Sequence, residues 1–245
     1  MRILQISDLH IGKENEKPSG IDVKKHFLQI VKALPDYLPD MIILSGDLTY
    51  KNGDIQTYKW IRSQLLGSDL PFFVIPGNHD DPAMIQNVFH PEIRLTQNKL
   101  FYSRSIEGEL FLFLDSSNGE LEEIQLQWIK KALKLSASDR VFVFMHHPPL
   151  LAGVAHMDNN HALRNREKIK AIFIEYGKPS FIYCGHYHVE KNISCKNLLI
   201  QICPAGFYQM DGNSEAFKIE HATPGFRVID IGGETVQSHS HYLMG

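Results

Sequence analysis

The stretch MRILQISDLH, residues 1–10, decides the fold, because a largely apolar run at residues 3–6 is followed at once by Asp8 and His10. A short apolar run of this kind is typical of a strand that helices cover on both faces of a sheet. Polar side chains just beyond such a strand lie at its carboxyl end, where α/β sheets bind their ligands. The opening of the chain therefore predicts an α/β protein with a functional site at one rim of a sheet.

The same arrangement recurs along the rest of the chain. Strands are predicted at residues 41–44, 72–75, 100–105, 110–114, 141–144, 181–183, 193–202, 226–231 and 235–241. Helices are predicted at residues 23–34, 55–66, 82–89, 121–135 and 161–176. Glu107-Gly108 indicates a hairpin turn between two of the strands. The alternation of strands and helices, without an internal repeat or linker, predicts one domain over residues 1–245 with two sheets packed between helices.

Side chains that can bind metal ions follow five of the predicted strands. They are Asp8 and His10, then Asp47, then Asn78, His79 and Asp80, then His146 and His147, then His186 and His188. Carboxylate, imidazole and amide oxygen together suit Mn, Fe, Co or Zn, whereas a set without histidine would suit Mg or Ca better. A structural zinc ion needs about four ligands. The rim offers enough ligands for two ions that share a bridging group.

Three glycines support a close approach of the backbone to this rim. Gly46, Gly77 and Gly185 each come directly before a candidate ligand. A glycine there lets the chain turn sharply or approach an ion closely, although each one alone could be an ordinary turn residue. Taken singly, Asp8 or Asp47 would more often be a helix cap or a turn residue. The prediction of a metal centre therefore depends on the joint pattern.

The composition limits the classes of protein to which the chain can belong. Hydrophobic residues make up 43% of the 245 residues. The net charge is -3 and the chain has no basic run, which disfavours the binding of nucleic acid. Cys184, Cys195 and Cys203 form no CxxC pair, which argues against a disulfide scaffold and a thiolate zinc site. The chain shows no signal peptide and no membrane-spanning run, so a cytoplasmic location and no membrane partner are expected.

The motifs, in their order and spacing, resemble those of the calcineurin-like metallophosphoesterase superfamily. They are Asp8-Leu9-His10, Gly46-Asp47, Gly77-Asn78-His79-Asp80, His146 and Gly185-His186-Tyr187-His188. Within it, the chain is similar to the class III (Icc-type) 3′,5′-cyclic nucleotide phosphodiesterases. The stretches that carry this likeness are Gly119-Glu120-Leu121, Gln125-Leu126-Gln127-Trp128, His146-His147-Pro148, Leu163-Arg164-Asn165 and Pro224-Gly225-Phe226-Arg227. The resemblance implies a four-layer αββα sandwich, with two mixed β-sheets flanked by helices.

The resemblance also implies a role for each matched residue. The first ion would be held by Asp8, His10, Asp47 and His188, and the second by Asp47, Asn78, His146 and His186. Asp47 would then be the bridging ligand. The substrate would be contacted by His10, Asn78, His79, Asn165 and His188.

Roles beside the ligands are expected for several neighbouring residues. His79 would protonate the leaving oxygen, and Asp80 would either orient that imidazole or cap the next helix. His147 is expected to point into neighbouring structure, because successive strand side chains point opposite ways. The loop residues His156, Asp158, Asn159 and His161 could cover the site, although residues 158–160 could instead cap the following helix.

The resulting interpretation is a dinuclear-metal phosphodiesterase that hydrolyses 3′,5′-cyclic AMP, or a related cyclic nucleotide, through a metal-bridging hydroxide. The expected ions are Fe and Mn, with Mn/Mn, Zn or Co as alternatives, and a homodimer is expected by analogy with relatives. Another small phosphodiester or a phosphomonoester is the alternative substrate, since the ions contact only the phosphate. A non-catalytic scaffold of the same fold is a further alternative, which the complete ligand set disfavours.

Overall fold

A computed structural model describes residues 1–244, which form strands and helices in regular alternation. The strands are β1 (Arg2–Ile6), β2 (Met41–Ser45), β3 (Phe72–Ile75), β4 (Tyr102–Ile106), β5 (Glu109–Leu114), β6 (Val141–Met145), β7 (Ser180–Cys184), β8 (Lys191–Cys195), β9 (Leu198–Ile202), β10 (Gln209–Met210), β11 (Ile219–His221), β12 (Gly225–Gly232) and β13 (Thr235–Tyr242). The α-helices are α1 (Val23–Tyr37), α2 (Ile55–Leu66), α3 (Pro82–Phe89), α4 (Glu123–Leu135), α5 (Ala155–Asn160) and α6 (Arg166–Tyr176).

Two mixed sheets carry most of these strands. The first has the order β13-β12-β1-β2-β3, in which β1, β2 and β3 are parallel and β12 runs antiparallel to β1. The second has the order β4-β5-β6-β7-β9-β8, with four parallel strands between two antiparallel edges. Strands β10 and β11 form a separate small ribbon. The strands that precede the candidate ligands are thus parallel within each sheet, and their carboxyl ends lie at one edge.

The alternation of side chains along β5 and β6 explains why the two sheets face each other. Phe111, Phe113, Phe142 and Phe144 belong to the core that the second sheet shares with the first. Their sequence neighbours, aliphatic for the most part, belong instead to the core beneath α4 and α6. Because side chains alternate between the faces of a strand, the aromatic rings fill the space between the sheets. The rings of Phe113 and Phe144 lie 5.7 Å apart there. The four-layer αββα sandwich is confirmed.

Two predicted elements divide in the structure. The helix predicted at residues 161–176 begins only at α6, with Asn165 at its N-cap, and the separate α5 precedes it. The strand predicted at residues 193–202 is a hairpin, in which Lys196 has a positive φ of 55° between β8 and β9. The turn Lys196-Asn197 lacks the glycine that is typical of two-residue hairpins, so the sequence does not reveal it. Along residues 1–244, every helix is too short or too polar to cross a bilayer.

Candidate metal centre

The loops that follow β1, β2, β3, β6 and β7 meet at one rim between the two sheets. Backbone hydrogen bonds join the loops within each sheet, from Asp8 N to the Gly46 carbonyl at 3.0 Å and from Gly185 N to the His146 carbonyl at 3.0 Å. The two sheets are joined by His186 N, which donates to both carboxylate oxygens of Asp8 at 3.1 and 3.0 Å. The fold therefore places candidate ligands from both sheets around a common space.

One cluster of ligands consists of Asp8, His10 and His188, all of them buried. His188 Nε2 lies 3.4 Å from Asp8 Oδ1, and the Nε2 atoms of His10 and His188 lie 3.1 Å apart. The other ring nitrogen of His188 bonds the Tyr208 carbonyl at 3.1 Å, which turns Nε2 toward the cluster. A second partner that fixes the tautomer in this way is the usual arrangement for a metal-binding histidine.

The second cluster consists of Asp47, His146 and His186. His146 Nδ1 bonds the Ser45 carbonyl at 2.9 Å, so the ring presents Nε2 to Asp47 Oδ2 at 3.2 Å. With Nδ1 as the donor, Nε2 carries a lone pair, and this buried atom has no hydrogen-bond partner among the described residues. A lone pair facing a carboxylate oxygen is unfavourable unless a cation or a proton lies between them.

Asp47 connects the two clusters. Its Oδ2 lies 3.2 Å from His146 Nε2 in one cluster and 3.7 Å from His10 Nε2 in the other. His79 N donates to Oδ1 at 2.8 Å, which holds the carboxylate in place. One carboxylate facing both clusters is the geometry that a bridging ligand requires.

The protonation of the histidines fits two cations. Burial lowers the pKa of His10 to about 3 and that of His186 to about 3, so both rings are neutral at pH 7 and can donate lone pairs. Against the opposing effect of burial, Asp47 and Asp8 raise the pKa of His146 to about 9. A proton on His146 thus occupies the position that a cation would take. The donor set of imidazoles and carboxylates fits two ions.

The backbone at the rim is unusual, because five of the candidate ligands lie in the left-handed region. Their φ angles are 55° for Asp8, 45° for His10, 52° for Asp47, 69° for His186 and 51° for His188. Such angles cost free energy in residues other than glycine and are concentrated at functional sites. The close approach expected for the glycines is also present: a Cβ on Gly46 would lie 2.5 Å from His146 Nδ1, and one on Gly77 would overlap Asp47 Oδ1.

His79 and Asn78 lie at the open side of the centre. His79 Nδ1 bonds the Lys51 carbonyl at 2.9 Å, which leaves Nε2 4.0 Å from Asp47 Oδ2, with the side chain 35% exposed. His79 can therefore reach both solvent and the centre. Its distances to His10 and Asp47 would also allow a metal ligand. Asn78 follows Gly77 directly and is exposed, so its amide is accessible from the solvent side.

The expectation that Asp80 orients the His79 imidazole is wrong, because the Lys51 carbonyl does so. The Asp80 carboxylate instead accepts hydrogen bonds from the backbone of Leu48, Thr49 and Gly77, and from the Tyr58 hydroxyl at 2.9 Å. The alternative role as a helix cap is wrong too, since Asp81 caps α3 by accepting from Met84 N. Asp80 therefore joins the loop after β2, which contains Asp47, to the loop after β3.

The side chain of Asn165, expected as a substrate contact, makes a structural contact instead. Its amide accepts from Leu121 N at 3.1 Å and donates to the Leu121 carbonyl at 2.6 Å, so both polar atoms are used in joining α6 to the segment before α4. Asp158 accepts from three backbone N–H groups just before α5 and from the Tyr187 hydroxyl, so it joins that segment to its own helix. The expectation that residues 158–160 cap the following helix is wrong, because Asn165 is the N-cap residue of α6. His147 bonds Ser116 Oγ through Nδ1 at 2.8 Å, and its ring centre lies 4.1 Å from that of His186.

The residues that sequence reasoning missed act on the centre through backbone carbonyls. The carbonyls of Ser45, Lys51 and Tyr208 each fix one histidine ring, as described above. A main-chain carbonyl leaves no trace in the residue type, so no signal in the sequence could have revealed these contacts. The Tyr208 ring is a further omission, since its centre lies 4.6 Å from that of His188.

An αββα sandwich with a carboxylate between two histidine-rich clusters defines a protein built to hold two metal ions. The family model of the calcineurin-like phosphoesterases matches residues 1–190, a region that contains every candidate ligand and His79. The chain belongs to the calcineurin-like phosphoesterase family.

Three known proteins show how far the likeness extends. A probable cyclic nucleotide phosphodiesterase of Fibrobacter succinogenes is 30% identical over 242 residues, which cover 99% of this chain and 94% of that protein. A probable glycerophosphodiester phosphodiesterase of Arcobacter nitrofigilis is 31% identical over 198 residues, 77% of this chain and 72% of that protein. A dimetal phosphatase of Danio rerio superposes with a TM-score of 0.68 over 93% of this chain and 94% of its own, at 13% identity, which shows the fold alone.

Proposed function

We propose that this protein is a dinuclear-metal phosphodiesterase that hydrolyses 3′,5′-cyclic nucleotides, with 3′,5′-cyclic AMP as the first candidate. The observation that carries the proposal is the position of Asp47, whose Oδ2 faces His146 at 3.2 Å and His10 at 3.7 Å. Ions on the two sides of that carboxylate would be close enough to act on one phosphate. Two ions in such a site offset phosphoryl charge and lower the pKa of water.

The first ion would be held by Asp8, His10, Asp47 and His188, and the second by Asp47, Asn78, His146 and His186. This set has four imidazoles, two carboxylates and one amide, which suits Fe and Mn and would also accept Zn or Co. The low pKa values of His10 and His186, about 3 in each case, keep their nitrogens free for a metal at neutral pH.

His79 would supply a proton during the reaction. Its Nδ1–H donates to the Lys51 carbonyl at 2.9 Å, which fixes the ring with Nε2 toward the centre. In the imidazolium form, Nε2–H can donate its proton to the oxygen that leaves phosphorus. Assistance of this kind is typically worth about 10²–10⁴ in rate. The ring centre of His10 lies 5.1 Å from that of His79, and His10, Asn78 and His188 would contact the phosphate together with His79.

A cyclic nucleotide is favoured as the substrate because the match to the cyclic nucleotide enzyme extends over 99% of this chain. The match to the glycerophosphodiester enzyme extends over 77%. A glycerophosphodiester is the second candidate.

A substrate panel on metal-loaded protein tests the proposal. Turnover of 3′,5′-cAMP, 3′,5′-cGMP, 2′,3′-cAMP and glycerophosphoethanolamine is measured with Mn, Fe, Co and Zn, and an Asp47→Asn variant purified in parallel serves as the control for contaminating enzymes. The proposal expects kcat/KM to be highest for a 3′,5′-cyclic nucleotide. A higher value for the glycerophosphodiester would favour the second candidate, and no turnover with any metal would favour a scaffold. The expected homodimer stays a prediction, which light scattering on the same protein tests.

A further inference from the structure

An arc of aromatic rings runs from one cluster of the metal centre to the other. The distances between neighbouring ring centres are 4.6 Å for His188–Tyr208, 5.9 Å for Tyr208–Phe217, 6.0 Å for Phe217–His156, 5.6 Å for His156–His161 and 6.3 Å for His161–His186. Since His188 belongs to one cluster and His186 to the other, the arc borders the centre along one side. Phe217 is the third of the six rings, and Tyr208 alone separates it from His188.

Phe217 differs from the other Phe, Tyr and Trp residues in its exposure to solvent. Residues 1–244, which the structure describes, include all 14 Phe, 9 Tyr and 2 Trp, and among these only Phe217 is exposed, with 53% of its surface accessible. A single exposed apolar side chain is ordinary by itself. An exposed phenyl ring next to Tyr208, which itself contacts the candidate ligand His188, offers an apolar surface on which a flat ligand can stack.

The segment that carries Phe217 is tied to the centre. Met210 N donates to the carbonyl of His188 at 2.8 Å, which connects β10 to a candidate ligand. The loop between β10 and β11 is closed by the backbone bond from Asp211 N to the Lys218 carbonyl at 2.9 Å and by the Asp211–Lys218 ion pair at 2.8 Å. Phe217 is therefore positioned by a short hairpin whose base is hydrogen-bonded to His188.

We propose that Phe217, with Tyr208 and His156 beside it, forms a stacking platform for the base of a nucleotide whose phosphate lies at the metal centre. The proposal rests on the proposed function, because it assigns a role in substrate specificity to residues outside the ligand set. Every nucleobase has a π-face, and stacking on an aromatic side chain typically strengthens binding by a factor of about 10 to 100. A glycerophosphodiester has no ring that could use the platform.

Calorimetric titration of the metal-loaded protein with AMP and with ribose 5-phosphate isolates the contribution of the base. The two ligands share sugar and phosphate and differ in the base alone. The wild type is expected to bind AMP more tightly than ribose 5-phosphate. Phe217→Ala is expected to weaken AMP binding about tenfold and to leave ribose 5-phosphate binding unchanged. Phe217→Tyr keeps a stacking ring and is expected to keep the affinity for AMP.

Leu135→Ala is the matched control, since Leu135 is also exposed, at 73%, and lies at the end of α4, outside the arc of rings. The platform is overturned if the wild type does not prefer AMP, or if Phe217→Ala changes the two affinities equally or changes neither. Turnover of 3′,5′-cAMP by the wild type, measured on the same preparation, reports on the proposed function separately. Absence of turnover together with a loss of AMP binding in Phe217→Ala would reject that function and keep the nucleotide platform.

Discussion

Replacing Asp80 by asparagine tests whether this carboxylate stabilises the loops or acts in the reaction. The amide can keep one oxygen toward Thr49 and Tyr58, but its NH₂ group then faces Gly77 N, which donates to Asp80 Oδ2 at 2.9 Å in the native protein. An unsatisfied donor costs about 1–3 kcal/mol, and the remaining hydrogen bonds lose the strengthening that the charge provides. We expect a loss of about 3 kcal/mol in the free energy of unfolding.

Urea unfolding of the metal-free variant measures this loss, as a midpoint lowered by about 1 M if the m value is about 3 kcal/mol per M. Asp81→Asn is the matched control, because Asp81 caps α3 and asparagine is an equally good cap, so its stability should be unchanged. Turnover at saturating metal should fall only a few-fold in Asp80→Asn, since the Lys51 carbonyl orients His79. Unchanged stability together with a hundredfold lower kcat would refute this account and restore Asp80 as a partner of His79.

Three further substitutions address the centre itself. His79→Ala should retain both ions and lose about 10²–10⁴ in kcat, as measured by metal analysis and turnover, and a loss of metal would identify His79 as a ligand instead. Asp47→Ala should remove both ions, because both clusters face its carboxylate, and a protein that still holds a full pair would contradict the bridging role. Gly77→Ala should weaken metal binding, because its Cβ would overlap Asp47 Oδ1, and should destabilise the protein by about 1–3 kcal/mol, whereas an unchanged titration with Mn would show that the loop adapts.

The position of the centre could be predicted because it follows from the topology. Asp8, Asp47 and His146 each come two or three residues after a predicted apolar run, and parallel strands bring such residues to one edge whatever the details of packing. The packing of two sheets against each other could also be predicted from the sequence. Leu and Phe alternate along residues 110–114, so the two residue types lie on opposite faces of the strand.

Contacts that depend on exact loop geometry could not be predicted. Asp80 follows His79 in sequence, yet its carboxylate points to Leu48 and Gly77, because the loop turns between the two residues. Asn165 belongs to a stretch that resembles the cyclic nucleotide phosphodiesterases, but its amide joins α6 to Leu121. Resemblance in sequence therefore does not distinguish a residue that makes a structural contact from one that contacts the substrate. Only the hydrogen-bond partners distinguish the two.

The left-handed backbone of the candidate ligands has a consequence for the stability of the protein. Asp8, His10, Asp47, His186 and His188 each adopt an angle that glycine would tolerate without cost, at a penalty of about 1 kcal/mol or more per residue. The sum is comparable with the whole folding free energy of many domains, about 5–15 kcal/mol. Glycine at His10 or His188 would remove this penalty, whereas glycine at Asp8 or Asp47 would also leave the N–H of His186 or of His79 without its acceptor. The backbone of the ligands is thus a local cost in stability that the binding of metal ions would have to offset.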